Sequence, residues 1–169
     1  LSQPDFVAEF LRINRERGTH TAIETSGYAP WEALEQVAKQ CQLVFYDVKI
    51  LDREKHKQYT GVDNFLILEN LKKLSNNFPD LKIIVRTPVI PTINDTKEEL
   101  FDIRDFLAGL PHIADYELLP YHAFGAPKYA QIGKRYLLES LPSLGRDSMK
   151  ELNEELRASL HLPAQPSLL

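Results

Sequence analysis

Strand-like and helix-like segments alternate along this sequence, and each strand-like segment runs out into polar or charged residues. HTAI leads to Glu24, LVFYDVK ends in Asp47 and Lys49, LKIIVR ends in Arg86, and YELLPY leads to His122. Such alternation implies parallel strands joined by right-handed crossovers. Charge gathered at the carboxyl ends of the strands is the pattern of a (β/α) barrel, whose catalytic and cofactor groups sit on that rim. A small doubly wound sheet satisfies the same alternation, but it would carry a Gly-rich phosphate loop after the first strand, and none is present. The expected fold class is α/β, a partial (β/α) barrel with about four parallel units, too few to close a barrel. It is expected to occupy residues 1–160, with an unpatterned tail at 161–169.

The segments read as follows. Pro4 and Asp5 suit a helix first turn, and Phe6, Val7, Phe10 and Leu11 fall on one helical face. HTAIET (20–25) is a short strand stopped by Ser26-Gly27. Pro30 opens a helix with Trp31, Leu34, Val37 and Cys41 at helical spacing, which makes Cys41 a core residue. LVFYDVK (43–49) is a second strand, and residues 62–78 form a helix with Ile67, Leu71, Leu74 and Phe78 inward. LKIIVRTPVI (81–90) is a third strand, ended by Pro88 and Pro91. Asn94 or Asp95 caps a helix that turns Leu100, Ile103 and Leu107 inward. IADYELL (113–119) is a fourth strand, and a last helix at 147–160 carries Met149, Leu152, Leu156 and Leu160. The run Asp52–Lys57 reads as a solvated helical face.

Composition narrows the functions. With 43% hydrophobic and 26% charged residues, the 169-residue chain can bury one core. A net charge of −4 offers no electrostatic footprint for nucleic acid. No apolar run approaches the roughly 20 residues of a membrane span, no stretch reads as a secretion leader, and a cytoplasmic location is expected. One cysteine can neither form an internal disulfide nor hold a zinc or iron–sulfur site by itself.

Chemistry is concentrated at the strand ends. Asp47 and Lys49, two apart on a strand, point to the same side as Leu43 and Phe45. They could form an internal ion pair with a neighbouring strand, or a ligand clamp in which Lys49 meets an anion and Asp47 a cation, amine or hydroxyls. Arg86 can grip a carboxylate with two parallel hydrogen bonds, or bridge to Glu24 or Asp47 inside the barrel. Glu24 and Thr25 offer hard oxygen ligands for a small cation or ribose hydroxyls. His122 lies in a loop, either as a surface residue or as a ligand contact. No metal-ligand spacing links His20, His56, His112, His161 and Cys41.

At these residues the chain resembles the activating enzymes of glycyl radical enzymes, of which pyruvate formate-lyase activating enzyme is the best known. The matching stretches are LSQPDFVAEFLR, HTAIETSGY, DVKILDREKHKQYTGVDN, VRTPVIPTINDT and YELLPYHAFGAPKY. The resemblance implies a radical S-adenosylmethionine (SAM) partial barrel. A [4Fe–4S] cluster there cleaves SAM reductively, and the 5′-deoxyadenosyl radical takes a hydrogen from a glycine of the partner enzyme. It implies a glycyl radical enzyme such as pyruvate formate-lyase as partner, and flavodoxin or ferredoxin as electron donor. By the same resemblance Asp47, Val48 (through its backbone) and Lys49 line the SAM site, Arg86 orients SAM, and His122 sits by its adenosine end. Glu24, Thr25, Asp47 and the Phe45 carbonyl match a monovalent-cation site, although the family often has Asp where Glu24 stands.

The departures are specific. The sequence has neither CxxxCxxC nor the family's Gly-Gly-Glu-Pro segment. The expectation is a carboxyl-terminal two-thirds of an activating enzyme, catalytically inert alone, with an open edge strand and an uncovered apolar face that favour self-association. Rival readings are another radical SAM enzyme such as an anaerobic ribonucleotide reductase activase, a non-catalytic SAM- or partner-binding module, and an unrelated half-barrel with structural ion pairs.

Overall fold

A computed structural model describes residues 1–136, 138 and 140–160; the expected tail lies outside the described residues. The four strands are β1 (Ala22–Thr25), β2 (Leu43–Asp47), β3 (Lys82–Val89) and β4 (Asp115–Pro120). They form one parallel sheet in the order β1-β2-β3-β4. The helices are α1 (Pro4–Glu16), α2 (Trp31–Ala38), α3 (Arg53–Thr60), α4 (Phe65–Asn77), α5 (Lys97–Ala108), α6 (Ala126–Gln131) and α7 (Arg146–Ser159).

Strand alternation decides which side of the sheet is covered. Val44, Tyr46, Val48, Ile83, Val85, Tyr116 and Leu118 face the helices and join one core with Leu34, Val37, Leu71, Leu74, Leu100, Ile103, Leu107 and Leu156. On the opposite face only Ile84 and Asp115 of the strand residues are buried. Helices on one face and an open second face make a partial barrel rather than a doubly wound sheet. The open face is charged towards the strand ends, with Asp47, Arg86 and Glu117 in register across it and Glu24 level with Phe45. Leu43, Phe45 and Ile84 share it, so the uncovered face is mixed rather than wholly apolar as expected.

Several local expectations change. Cys41 follows α2 instead of lying within it, and its thiol donates to the Val37 carbonyl (3.3 Å). Phe6 and Phe10 are exposed and stack on each other, because α1 turns Ala8 and Leu11 to the core. Residues 53–60 form helix α3, in line with the helical reading of that run, but within the expected solvated face His56 is buried. Its Nδ1 lies 2.8 Å from the Val62 carbonyl, which accepts a hydrogen from that nitrogen. The cap of α5 is Thr96, which accepts from the Glu99 N–H; Asn94 and Asp95 are used inside the preceding loop. Pro88 does not end β3. Pairing with β2 stops at Arg86 while pairing with β4 runs on to Val89, so Pro88 sits where the strand has one partner and a missing N–H is tolerated.

The two ends of the sheet differ. At the β4 edge, the Asn153 side chain accepts from Leu118 N–H (2.7 Å) and donates to its carbonyl (3.3 Å). Tyr116 N–H goes to the Asp115 carboxylate, and Pro120 has none to offer. The β1 edge carries no such substitute among the described residues.

Candidate ligand site at the strand ends

The β2 exit holds Asp47 and Lys49 on the open face, with Lys49 Nζ donating to Asp47 Oδ2 at 2.7 Å. The pair is half-buried, its side chains 35% (Lys49) and 19% (Asp47) exposed. The expected ion pair thus forms within the strand rather than with a neighbour. Val48 between them points into the core; its N–H donates to the Arg86 carbonyl (3.0 Å) and its own carbonyl accepts from Thr87 Oγ1 (2.5 Å). A cleft of about 210 Å³ borders the pair, with Ser26, Tyr28, His56 and Ile67 in its wall.

One strand over, Arg86 lies in register between Asp47 and Glu117. Its guanidinium covers the Phe45 ring, Nε donates to Glu117 Oε2 (3.0 Å), and one terminal nitrogen lies 3.5 Å from Glu24 Oε2. Of the two expected bridges, the one to Glu24 is present and the one to Asp47 is not. Glu117 is the partner that the sequence reading missed. It also lies 3.8 Å from Arg157, which makes a two-pronged contact with the buried Asp115 (2.9 and 2.7 Å). Alternating charge therefore runs across the open face from Glu24 to Arg86, Glu117, Arg157 and Asp115. The signal in the sequence was positional: Glu117 is two residues from Asp115 on a strand, and so shares its face.

The remaining candidates are spread out. The Thr25 hydroxyl accepts from Gly27 N–H (3.0 Å) on the helix side of the sheet, whereas Glu24 stands on the open face. His122 follows β4, exposed, with its ring 4.3 Å from that of Phe124. It borders a larger groove of about 630 Å³ between the β4 end and α7, next to Leu119, Met149, Asn153 and Arg157. Among the described residues no three His, Cys, Asp or Glu side chains converge as a metal site. Cys41 stands before β2, at the opposite end of the sheet from Asp47, and burial pushes its thiol up to about 12.

Such an arrangement can hold a small zwitterion. Lys49 and Arg86 are cations suited to a carboxylate, and Asp47, Glu24 and Glu117 are anions suited to an amine or a sulfonium.

Comparison with known proteins gives the family and the fold. A family model described as the Radical SAM superfamily matches residues 1–107. The chain is 42% identical over 158 residues to the (2S)-3-sulfopropanediol sulfolyase activating enzyme of Bilophila wadsworthia, covering 94% of this chain and 52% of that protein. It is 46% identical over 134 residues to the isethionate sulfite-lyase activating enzyme of Oleidesulfovibrio alaskensis, covering 79% and 43%. A 4-hydroxyphenylacetate decarboxylase activating enzyme of Clostridioides difficile is 37% identical over 154 residues, covering 91% and 48%. A solved domain of a pyruvate-formate lyase-activating enzyme from Bacteroides vulgatus superposes with a TM-score of 0.74 at 24% identity, covering 96% of this chain and 90% of that one; at that identity the likeness shows the fold. The chain spans about half the length of the curated relatives it matches, less than the two-thirds expected.

Proposed function

Because the chain belongs to the radical SAM superfamily, we propose that its open sheet face is the SAM-facing wall of an activating enzyme for a glycyl radical enzyme. The observation that carries this is the convergence of Asp47, Lys49 and Arg86, half-buried and opposite in sign, on an uncovered face at the carboxyl ends of two adjacent strands. Lys49 and Arg86 would meet the carboxylate of SAM. Asp47 would meet its amine or sulfonium, Val48 would line the site through its backbone, and His122 would border the adenosine. A monovalent cation at Glu24, Thr25, the Phe45 carbonyl and Asp47 belongs to the same proposal, and it would share two carboxylates that already hold Arg86 and Lys49.

SAM when bound supplies the adenosyl group whose radical abstracts hydrogen. The chain's own residues bind and orient it. They do not fit the iron–sulfur cluster: one buried, protonated cysteine at the far end of the sheet offers no thiolate set, so no step is assigned to the cluster here. The partner we propose is a glycyl radical enzyme, with a flavodoxin or ferredoxin as donor. Two sulfur-lyase activating enzymes at 42% and 46% identity, against 37% for the decarboxylase one, favour a lyase of the sulfolyase or sulfite-lyase kind over a decarboxylase.

Titration of S-adenosylhomocysteine into the chain by calorimetry tests the wall. Lys49→Met is expected to weaken binding by about tenfold or more, the worth of a hydrogen bond to a charged group, while leaving the melting temperature nearly unchanged. Equal binding by the two proteins, or none by the wild type, overturns the assignment.

A further inference from the structure

Four successive carbonyls at the exit of β2 are each held by a polar side chain from elsewhere in the chain. The Val48 carbonyl accepts from Thr87 Oγ1 (2.5 Å). That of Lys49 accepts from Asn94 Nδ2 (2.8 Å), and those of Ile50 and Leu51 from Asn64 Nδ2 (2.9 and 2.7 Å). Asn94 also donates to the Pro88 carbonyl (2.9 Å) and accepts from Ile90 N–H (2.7 Å), tying the end of β3 to the end of β2. Both asparagines are almost wholly buried, 2% and 3% exposed. A third, Asn70, does the same after β1, donating to the carbonyls of Gly27 and Ala29 (2.8 Å each).

This arrangement is more than turn formation requires. A chain leaving a sheet at its rim can give its carbonyls to water, and buried carboxamides are costly unless fully used. Here the donors come from the cap of α4, from β3 and from the loop after it, and they converge on Val48–Leu51, the stretch that carries Lys49 and directly follows Asp47.

We propose that Asn94 and Asn64 are positioning residues, which clamp the main chain from Lys49 to Leu51 so that the Asp47–Lys49 pair meets its ligand in a fixed geometry. The inference rests on the reading of that pair as a ligand contact. Side chains that touch a ligand need a supporting layer to hold them within a fraction of an ångström. The clamp supplies it from two directions.

The test uses the whole chain and two readouts. Competitive acetylation with acetic anhydride, read by mass spectrometry, reports how tightly Lys49 is held, with the exposed Lys82 as internal reference. Asn94→Asp keeps the size and the acceptor for Ile90 N–H but removes both donors. It is expected to raise Lys49 acetylation several-fold relative to Lys82, and to weaken S-adenosylhomocysteine binding about tenfold, the usual penalty for losing a group that orients a ligand-bearing residue. Ser75→Ala, which removes a buried acceptor for His112 N–H away from the site, should lower the melting temperature and leave the Lys49 ratio unchanged. Asn64→Asp repeats the test if the first variant does not fold. An unchanged Lys49 ratio in the asparagine variants, or an equal rise in Ser75→Ala, overturns the proposal. A raised ratio with no ligand bound even by the wild type leaves the clamp standing and overturns the ligand reading alone.

Discussion

The guanidinium carbon of Arg86 stands 3.5 Å from the centroid of the Phe45 ring, one strand away on the open face. The ring covers the guanidinium and Glu117 takes Nε, while one terminal nitrogen faces Glu24. A lysine would reproduce the charge and neither the plane nor the fork. Arg86→Lys is therefore expected to weaken S-adenosylhomocysteine binding about tenfold and to lower stability by about 1 kcal/mol. Calorimetric titration beside a urea curve checks both; undiminished affinity would show that the fork is not used.

Thr92 has φ +65°, a left-handed conformation in a β-branched residue, in the loop that carries Asn94. That conformation costs about 1–2 kcal/mol, of which glycine returns part through its own flexibility in the unfolded chain. Thr92→Gly should raise the melting temperature by roughly 2–4 °C. Scanning calorimetry decides, and a lower value would mean that the Thr92 side chain contributes more than its backbone strain removes.

Arg157 on α7 is the two-pronged partner of Asp115, whose side chain is 2% exposed. Removing one member of a buried pair leaves a charge without its counterion. Arg157→Met should cost about 3 kcal/mol or more in urea denaturation. It should also loosen Glu117 and, through it, Arg86. A loss below 1 kcal/mol would place the pair in solvent-like surroundings.

Burial raises the acid groups of Cys41, Tyr46 and Tyr116 above their ordinary values, near 9.0 for the thiol and 10.0 for the phenols. The folded chain keeps protons that the unfolded chain releases. This contribution is whole below the ordinary values and is lost as pH rises through the folded ones. The urea midpoint should hold from neutral pH to about 9 and then fall, and Cys41→Ala should shallow the first part of the fall. A flat alkaline profile would contradict the burial of all three.

The strand ends were legible because each joins an apolar run to a charge, and two-residue alternation put Asp47 with Lys49 on one face. What stayed hidden was pairing across the sheet. Nothing local to Arg86 names Glu117 over Asp47, because the choice depends on register and on where Lys49 already points. The buried asparagines were partly visible: Asn70 lies on the same helical face as Ile67 and Leu74, and a polar residue on an apolar stripe asks for a buried partner. Asn94 was read as a helix cap because local spacing cannot separate a cap from a residue that reaches across to another strand. Phe6 and Phe10 were misplaced for a related reason. One residue of offset turns a helix face by about 100°, and the small Ala8 lets α1 approach closely where a phenylalanine would hold it off.

Asn153 stands in for a neighbouring strand at β4, which among the described residues leaves the sheet open on the β1 side only. Growth of this sheet has a direction: anything added, whether a further segment of a longer chain or another molecule, joins at β1. Two copies meeting there through a two-fold axis use up both open sides at once, so association by strand pairing ends at a pair and does not propagate into a fibre.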